Sequence, residues 1–304
     1  MSAHARSSRA RMVAILALSL SLLGASSCTR DSASPVGGGP TTTSLPPVAS
    51  DEDFDPANFT NPTEITNPLF PLVAGTRFTW KGHATDKGER LRREVVFTVT
   101  DLTKVINGVR TVVAWDRDYT DGELEEVELS FFAQDDDGNI WYFGEYPEEL
   151  DGDTVVKTPT WIPGVHGARA GIMMQAVPRL DTPSYAEGWG GSDVDWTDRG
   201  KVYQLGQQTC VPLDCYNDVV VIDEFNPEEP GAHQLKYFAP GVGGIRVGWR
   251  GAKEEEREVL NLVSLEHLSP EEMDELRQTV LEQEARAYRL SPDVYGTTQP
   301  IDQA

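Results

Sequence analysis

The chain has 304 residues, with 26 Lys and Arg against 49 Asp and Glu and a formal net charge of −23. Nucleic acid is thereby excluded as a partner, because phosphate binding needs a basic surface. Anionic lipid head groups would also repel this chain, so any hold on a membrane has to come from something other than charge.

At the amino terminus, Arg6, Arg9 and Arg11 precede an apolar run from Met12 to Leu23, with no acidic residue among them. That is the layout of a secretory signal. The run is about half of the roughly 20 apolar residues a membrane-spanning helix needs, and no later segment is long or apolar enough. Ala25, Ser26 and Ser27 then lead into Cys28, so that "LLGASSC" resembles the lipobox of bacterial lipoproteins. In that family the chain is cut before the cysteine and its sulfur receives a diacylglycerol. The pattern departs at Ala25, where the family usually has Leu. The same triplet also fits an ordinary A-x-A-like site, which would cut the same bond and leave Cys28 a free thiol. The resemblance implies a signal peptide over residues 1–27 and a lipid anchor at Cys28, holding the protein on the outer face of the cell membrane. Each buried CH₂ of an acyl chain contributes about 0.8 kcal/mol to such an anchor. Cleavage there removes the three arginines and no acidic residue, taking the net charge from −23 to −26.

Residues 29–50, "TRDSASPVGGGPTTTSLPPVAS", contain no aromatic residue and many Ser, Thr, Gly and Pro. Such a segment cannot bury enough apolar surface to offset its ordering entropy. With Cys28 it forms a tether, whose flexible-coil reach is about 25 Å.

Residues 51–290 read as one domain, mainly β. "REVVFTVTD", "RTVVAWDRDY", "ELEEVELSFFAQ", "NIWYFGE", "NDVVVIDEF", "HQLKYFA", "GIRVGW" and "EVLNLVSLE" have strand composition and length. Asn107-Gly108, Asp121-Gly122 and Asp137-Gly138 are hairpin signals, since two-residue type I′ turns need positive φ at both central positions. No helix-period segment separates these strands, which argues against parallel units. The expectation is a single antiparallel, curved, half-barrel-like sheet. Cys210 and Cys215, in "QTCVPLDCYND", are expected to close a disulfide loop in an oxidising compartment. Cys28 is then the odd cysteine, which fits its use as an anchor. One helix is predicted over residues 270–289. Ser269 and Glu272 form a capping box around Pro270, and Met273, Leu276, Val280 and Ala287 share a face. Residues 291–304 are expected to be a loose tail.

Catalytic patterns are scarce. No G-x-S-x-G elbow, H-E-x-x-H motif or phosphate-cradling loop occurs, and His83, His166, His233 and His267 are scattered. The turn at Asp135 and Asp137 lacks the first and twelfth ligands of a calcium loop. It reads as a hairpin, and Asp193, Asp195 and Asp198 read as a solvated loop. "APGVGGIRVG" lies between strands with no helix after it, so its glycines serve tight turning or close backbone approach. No metal or cofactor is implied. In "NIWYFGE", alternation sends Trp141 and Phe143 one way and Ile140 and Tyr142 the other, which implies burial on both faces.

"NPLFPLVAGTRFTWKG", "DDDGNIWYFGE", "GVHGARAGIMMQAVP" and "KYFAPGVGG" together resemble blocks that occur in this order in a family of exported bacterial proteins with no assigned activity. The resemblance spans about residues 61–265 and implies an architecture, not a chemistry. Gly244 and Ile245 depart from the Leu-Val the family often has there, and the Cys210 and Cys215 loop is not expected family-wide. By fold analogy alone, the chain is also similar to envelope lipoproteins and lipid carriers whose curved sheet wraps a hydrophobic cavity. The leading expectation is therefore a membrane-tethered lipoprotein. It would bind a lipid, another hydrophobic small molecule or an envelope component without turning it over, with Trp115, Trp141, Phe143, Trp161 and Met173 as candidate lining. A structural or interaction protein, and a carboxylate-dependent hydrolase, are the alternatives.

Overall fold

The computed structural model describes residues 53–303 except 87, 193 and 195. The expected signal, Cys28 and the expected tether lie outside the described residues.

Four long strands, β2 (Glu89–Ile106), β3 (Val109–Thr120), β4 (Glu123–Gln134) and β5 (Ile140–Asp151), run as an antiparallel meander. Their turns obey local chemistry. Asn107 and Gly108 have φ of 47° and 84°, and Asp121 and Gly122 have 53° and 94°, the positive pair a type I′ turn requires. At the β4–β5 turn only Gly138 is positive, at 92°. There the Asp135 carboxylate accepts from the backbone N–H of Asp137 and Asn139, from Asn139 Nδ2 and from Trp141 Nε1 at 2.7–3.1 Å. That carboxylate is spent on shaping the turn.

Strand β1 (Thr76–Asp86) joins the meander to β14 (Val259–His267), which continues through β13 (Gly243–Arg250), β12 (His233–Ala239), β11 (Cys215–Phe225) and β10 (Arg199–Cys210). At the other edge, β5 pairs with β7 (Arg169–Met174) and with the short β6 (Thr154–Lys157). The two edges are brought together by one short stretch of chain. Its first half, β8 (Tyr185–Ala186), pairs with β10, and its second half, β9 (Gly188–Trp189), pairs with β7. The sheet is thus antiparallel throughout and nearly closed, like a barrel. Gly188 makes this closure possible, because a Cβ there would lie 2.5 and 2.6 Å from the Trp196 and Trp161 rings. All eight predicted strands are present. β1, β7 and β10 add to them, and their Gly, Lys, Arg and Gln content hid them from a composition reading.

Alternation divides the apolar side chains between two cores. Ile140 and Tyr142 of β5 point into the barrel with Phe78, Val99, Phe132, Phe238 and Ile245. Trp141 and Phe143 point outward, where they join Leu129, Phe131 and the helix α1 (Pro270–Leu290) in a second core. α1 starts with the predicted capping box and buries Met273, Leu276, Val280 and Ala287. Arg277 pairs with Asp101 and Arg286 with Glu148, tying the helix to β2 and β5.

The segment after Ser291 differs from the loose tail expected. Tyr295 is fully buried, Ile301 is buried, and β15 (Asp302–Gln303) pairs with β2. The cause is an ion pair. Lys104, with a fully buried side chain, meets Glu284 at 2.8 Å. Lys104 also donates to the Gln299 carbonyl, while Glu284 accepts from the Ile301 N–H. A buried charge needs such partners, and the tail supplies them.

The loop from Asn61 to Gly75 folds into one end of the barrel, where Leu69 and Leu72 enter the inner core. Asn67 fixes it by donating to the Gly138 and Gln175 carbonyls. The Cys210–Cys215 disulfide closes the tip of the β10–β11 hairpin. Leu213 of that tip donates to the Leu262 carbonyl of β14. Two strands separate β11 from β14, so the tip folds across the same end.

Candidate functional site

Within the barrel lies a cavity of about 210 Å³. Phe78 and Trp80 of β1, Val95 and Phe97 of β2, Phe238 of β12 and Leu260 of β14 supply its walls, and Phe70 to Leu72 of the plug loop cover it. Phe78 and Trp80 stack with ring centroids 5.5 Å apart, and the Trp80 indole donates to the Gly244 carbonyl at 3.0 Å. β13 and β14 pair at Arg246–Asn261 and Val247–Leu260. The Trp80 indole therefore spans a lightly bonded seam in the wall. Gly243 and Gly244 lie on that seam and line the cavity, which agrees with close backbone approach as their use.

Three charged residues reach the cavity: Asp116, Lys236 and Arg246. Beyond Asp116 the barrel interior turns acidic. Asp116 lies opposite Glu128 across the β3–β4 ladder, and Asp118 lies opposite Glu126. Like charges directly opposite are destabilising. Burial, reinforced by Asp118, pushes Asp116 well above the ordinary carboxylate range. Burial does the same to Glu128, with help from Glu145 and Glu126, and to Glu126, with help from Asp118. Asp118 is raised to about 6 by burial, against the pull of Arg93. Glu145 is raised to about 7 by burial, while the Tyr142 hydroxyl it accepts from works the other way. On the far wall burial raises Asp198 to about 7 and Glu187 well above its ordinary value, both reinforced by Glu224.

Cations at this end are already engaged. Arg93 contacts Asp118, Glu125 and Glu258 at 3.3–3.4 Å. Lys236 meets Glu224 at 2.9 Å. Burial opposes the charge on Lys236, but Glu224 and Glu187 outweigh it and hold its pKa above the ordinary value. The barrel is thus amphipathic along its axis, apolar where the plug loop enters and acidic beyond Asp116.

Of the residues singled out from sequence, Met173 lines the cavity. The other four lie elsewhere. Trp115 donates to Gln283 of α1 at 2.8 Å, beneath the helix. Trp141 and Phe143 pack edge-on against Phe54 and Phe59 in the outer core. Trp161 stacks on Trp196 with centroids 5.0 Å apart, and its backbone bridges Glu145. Trp80, Phe97, Lys236 and Asp116 were missed. The "FTWKG" block and the inward register of "WDRDY" were the available signals. Cys210 and Cys215 are bonded as expected. Asp136 accepts from Thr60, and Asp135 shapes its turn, so these two of the three turn carboxylates serve the fold. Asp193 and Asp195 lie outside the described residues. His233 pairs with Asp223 at 3.0 Å, and His83 contacts Arg90 at 3.1 Å.

No family model matches the chain, and no curated protein matches it. Two solved structures resemble it. One, from Bacteroides fragilis, is described as an exported protein with a YmcC-like fold; it is 14% identical, covers 65% of this chain and 98% of its own, and superposes with a TM-score of 0.38. The other, from Parabacteroides distasonis, is described as a lipoprotein; it is 10% identical, covers 66% and 99%, and has a TM-score of 0.34. Likenesses this distant transfer no property to this chain.

Proposed function

We propose that the chain is an exported lipoprotein, tethered through acyl chains on Cys28, and that its barrel binds a hydrophobic or amphipathic small molecule without transforming it. The observation that supports this reading is the cavity. A concave, half-open apolar chamber walled by aromatic side chains, with a few convergent polar groups at one end, is the usual form of a small-molecule site. At about 210 Å³ it lies below the roughly 300–1,000 Å³ of drug-sized pockets, which suits a single chain or ring rather than a whole diacyl lipid.

Native mass spectrometry of the chain from residue 29 onward, exported to a bacterial periplasm and kept free of detergent, tests the binding reading. A retained small-molecule mass that is lost on solvent extraction is the expected result. An empty protein that also takes up no added alcohol or fatty acid contradicts it. The anchor is tested separately: Cys28→Ser in the full chain is expected to release the protein from membranes, and persistence in the membrane fraction contradicts lipidation.

A further inference from the structure

We propose that the cavity takes a cationic amphiphile, an apolar body carrying one ammonium-type head that sits against Asp116. This inference rests on the binding reading above and adds the chemistry of the head group. Asp116 is the one carboxylate on the cavity wall. Its cross-strand partner is Glu128, and the next pair along the same face is Asp118 with Glu126. Carboxylates stacked this way on an inward face are costly unless something compensates them.

The protein's own cations leave that need unmet. Arg93 is held by Asp118, Glu125 and Glu258, and Lys236 by Glu224. Arg117 lies over the Trp115 ring at 4.3 Å, on the helix side of the sheet. Asp116, Glu126 and Glu128 therefore have no ion-pair partner among the described residues; Asp116 accepts the Arg117 backbone N–H at 2.8 Å and Glu128 accepts the Tyr142 hydroxyl at 3.3 Å.

A second, separate observation lies on the far wall of the acidic end. The hydroxyl of Tyr185, a residue 3% exposed, has no hydrogen-bond partner. The ring ends beside Glu187: both would lie within 2.8 Å of a Cβ placed on Gly200. Buried hydroxyls are almost always bonded, so this one marks a place where the protein leaves a polar partner to be supplied. An ammonium head, with its donors, satisfies carboxylates in a way an anionic head does not. Two cations on the wall compete with such a head: Lys236, which is paired with Glu224 at 2.9 Å, and Arg246, whose buried Nε has no acceptor. Arg246 lies over the Tyr237 ring and opposite Asn261, on the outward side of its strand, and so favours an anion at the rim rather than inside.

Calorimetric titration of the chain from residue 29 with decylammonium, decanol and decanoate at pH 8 separates these cases, because the three probes share one apolar body. Decylammonium is expected to bind at least tenfold more tightly than decanol, with decanoate weakest. Asp116→Asn combined with Glu128→Gln is expected to remove the preference, bringing decylammonium within about twofold of decanol when both are measured on that variant. Decanol binding without an ammonium preference, or a preference for decanoate, overturns this inference and leaves the binding reading standing. If none of the three binds, both fall.

Discussion

Lys104 and Glu284 show how single residues decide the course of the tail. Each is nearly inaccessible, and together they hold the carbonyl of Gln299 and the N–H of Ile301. Removing one partner of a buried pair strands the other charge, a loss of about 3–5 kcal/mol, whereas apolar replacement of both is often neutral. Glu284→Gln is therefore expected to lower stability to urea by that amount, and Lys104→Met with Glu284→Leu to recover most of it. A single substitution that costs nothing contradicts this role. Gly144 is a second decisive residue. It has φ of 90°, and a Cβ there would lie 2.2 Å from the Trp161 carbonyl oxygen. That contact permits the Glu145–Trp161 bridge. Neither role is legible in sequence, since a lysine inside "DLTKVI" looks like any exposed strand residue until its partner, 180 positions away, is known.

At the scale of elements, the strands with β-branched and aromatic runs, the type I′ hairpins and the capped helix could all be read directly, because each rests on local chemistry. β10 could not. Its sequence, "RGKVYQLGQQTC", is mostly exposed and broken by register shifts, so packing against β11 defines it rather than composition. The outward destination of Trp141 and Phe143 was also hidden: alternation gives two faces but does not say which one the helix covers and which one encloses space. For the same reason the aromatic residues singled out as lining are mostly core, while the cavity wall uses Phe78, Trp80 and Phe97. The disulfide belongs to this scale too. It closes a short loop at the hairpin tip, and the loop-entropy relation gives about 2 kcal/mol for such a closure. Cys210→Ser with Cys215→Ser is expected to lower the free energy of urea unfolding by that amount with the sheet retained. Loss of the folded state, or no change in stability, contradicts the assignment.

For the whole molecule, the acidic end of the barrel sets the pH response. Asp118, Glu145 and Asp198 have folded pKa values of about 6, 7 and 7, against roughly 4 for such groups in an unfolded chain. Between those limits the folded state holds more protons than the unfolded one, so stability falls as pH rises. Below about pH 4 both states are protonated and the penalty is absent; above about pH 7 it is fully present. The melting temperature is therefore expected to be higher at pH 5 than at pH 8, the reverse of ordinary acid denaturation. A flat profile, or one that climbs with pH, contradicts the burial of these carboxylates. The same gradient from apolar to acidic along the barrel gives the cavity its two-sided character, and with it the proposed amphiphile.

The most direct test of that central claim is quenching of Trp80 by a brominated alcohol, 10-bromodecanol, because Trp80 forms part of the cavity wall. Emission of the chain from residue 29 is expected to fall along a saturable curve, and most of the saturable part is expected to vanish in Trp80→Phe. Quenching that never saturates, or that is unchanged in Trp80→Phe, would place the alcohol outside the barrel and contradict the account.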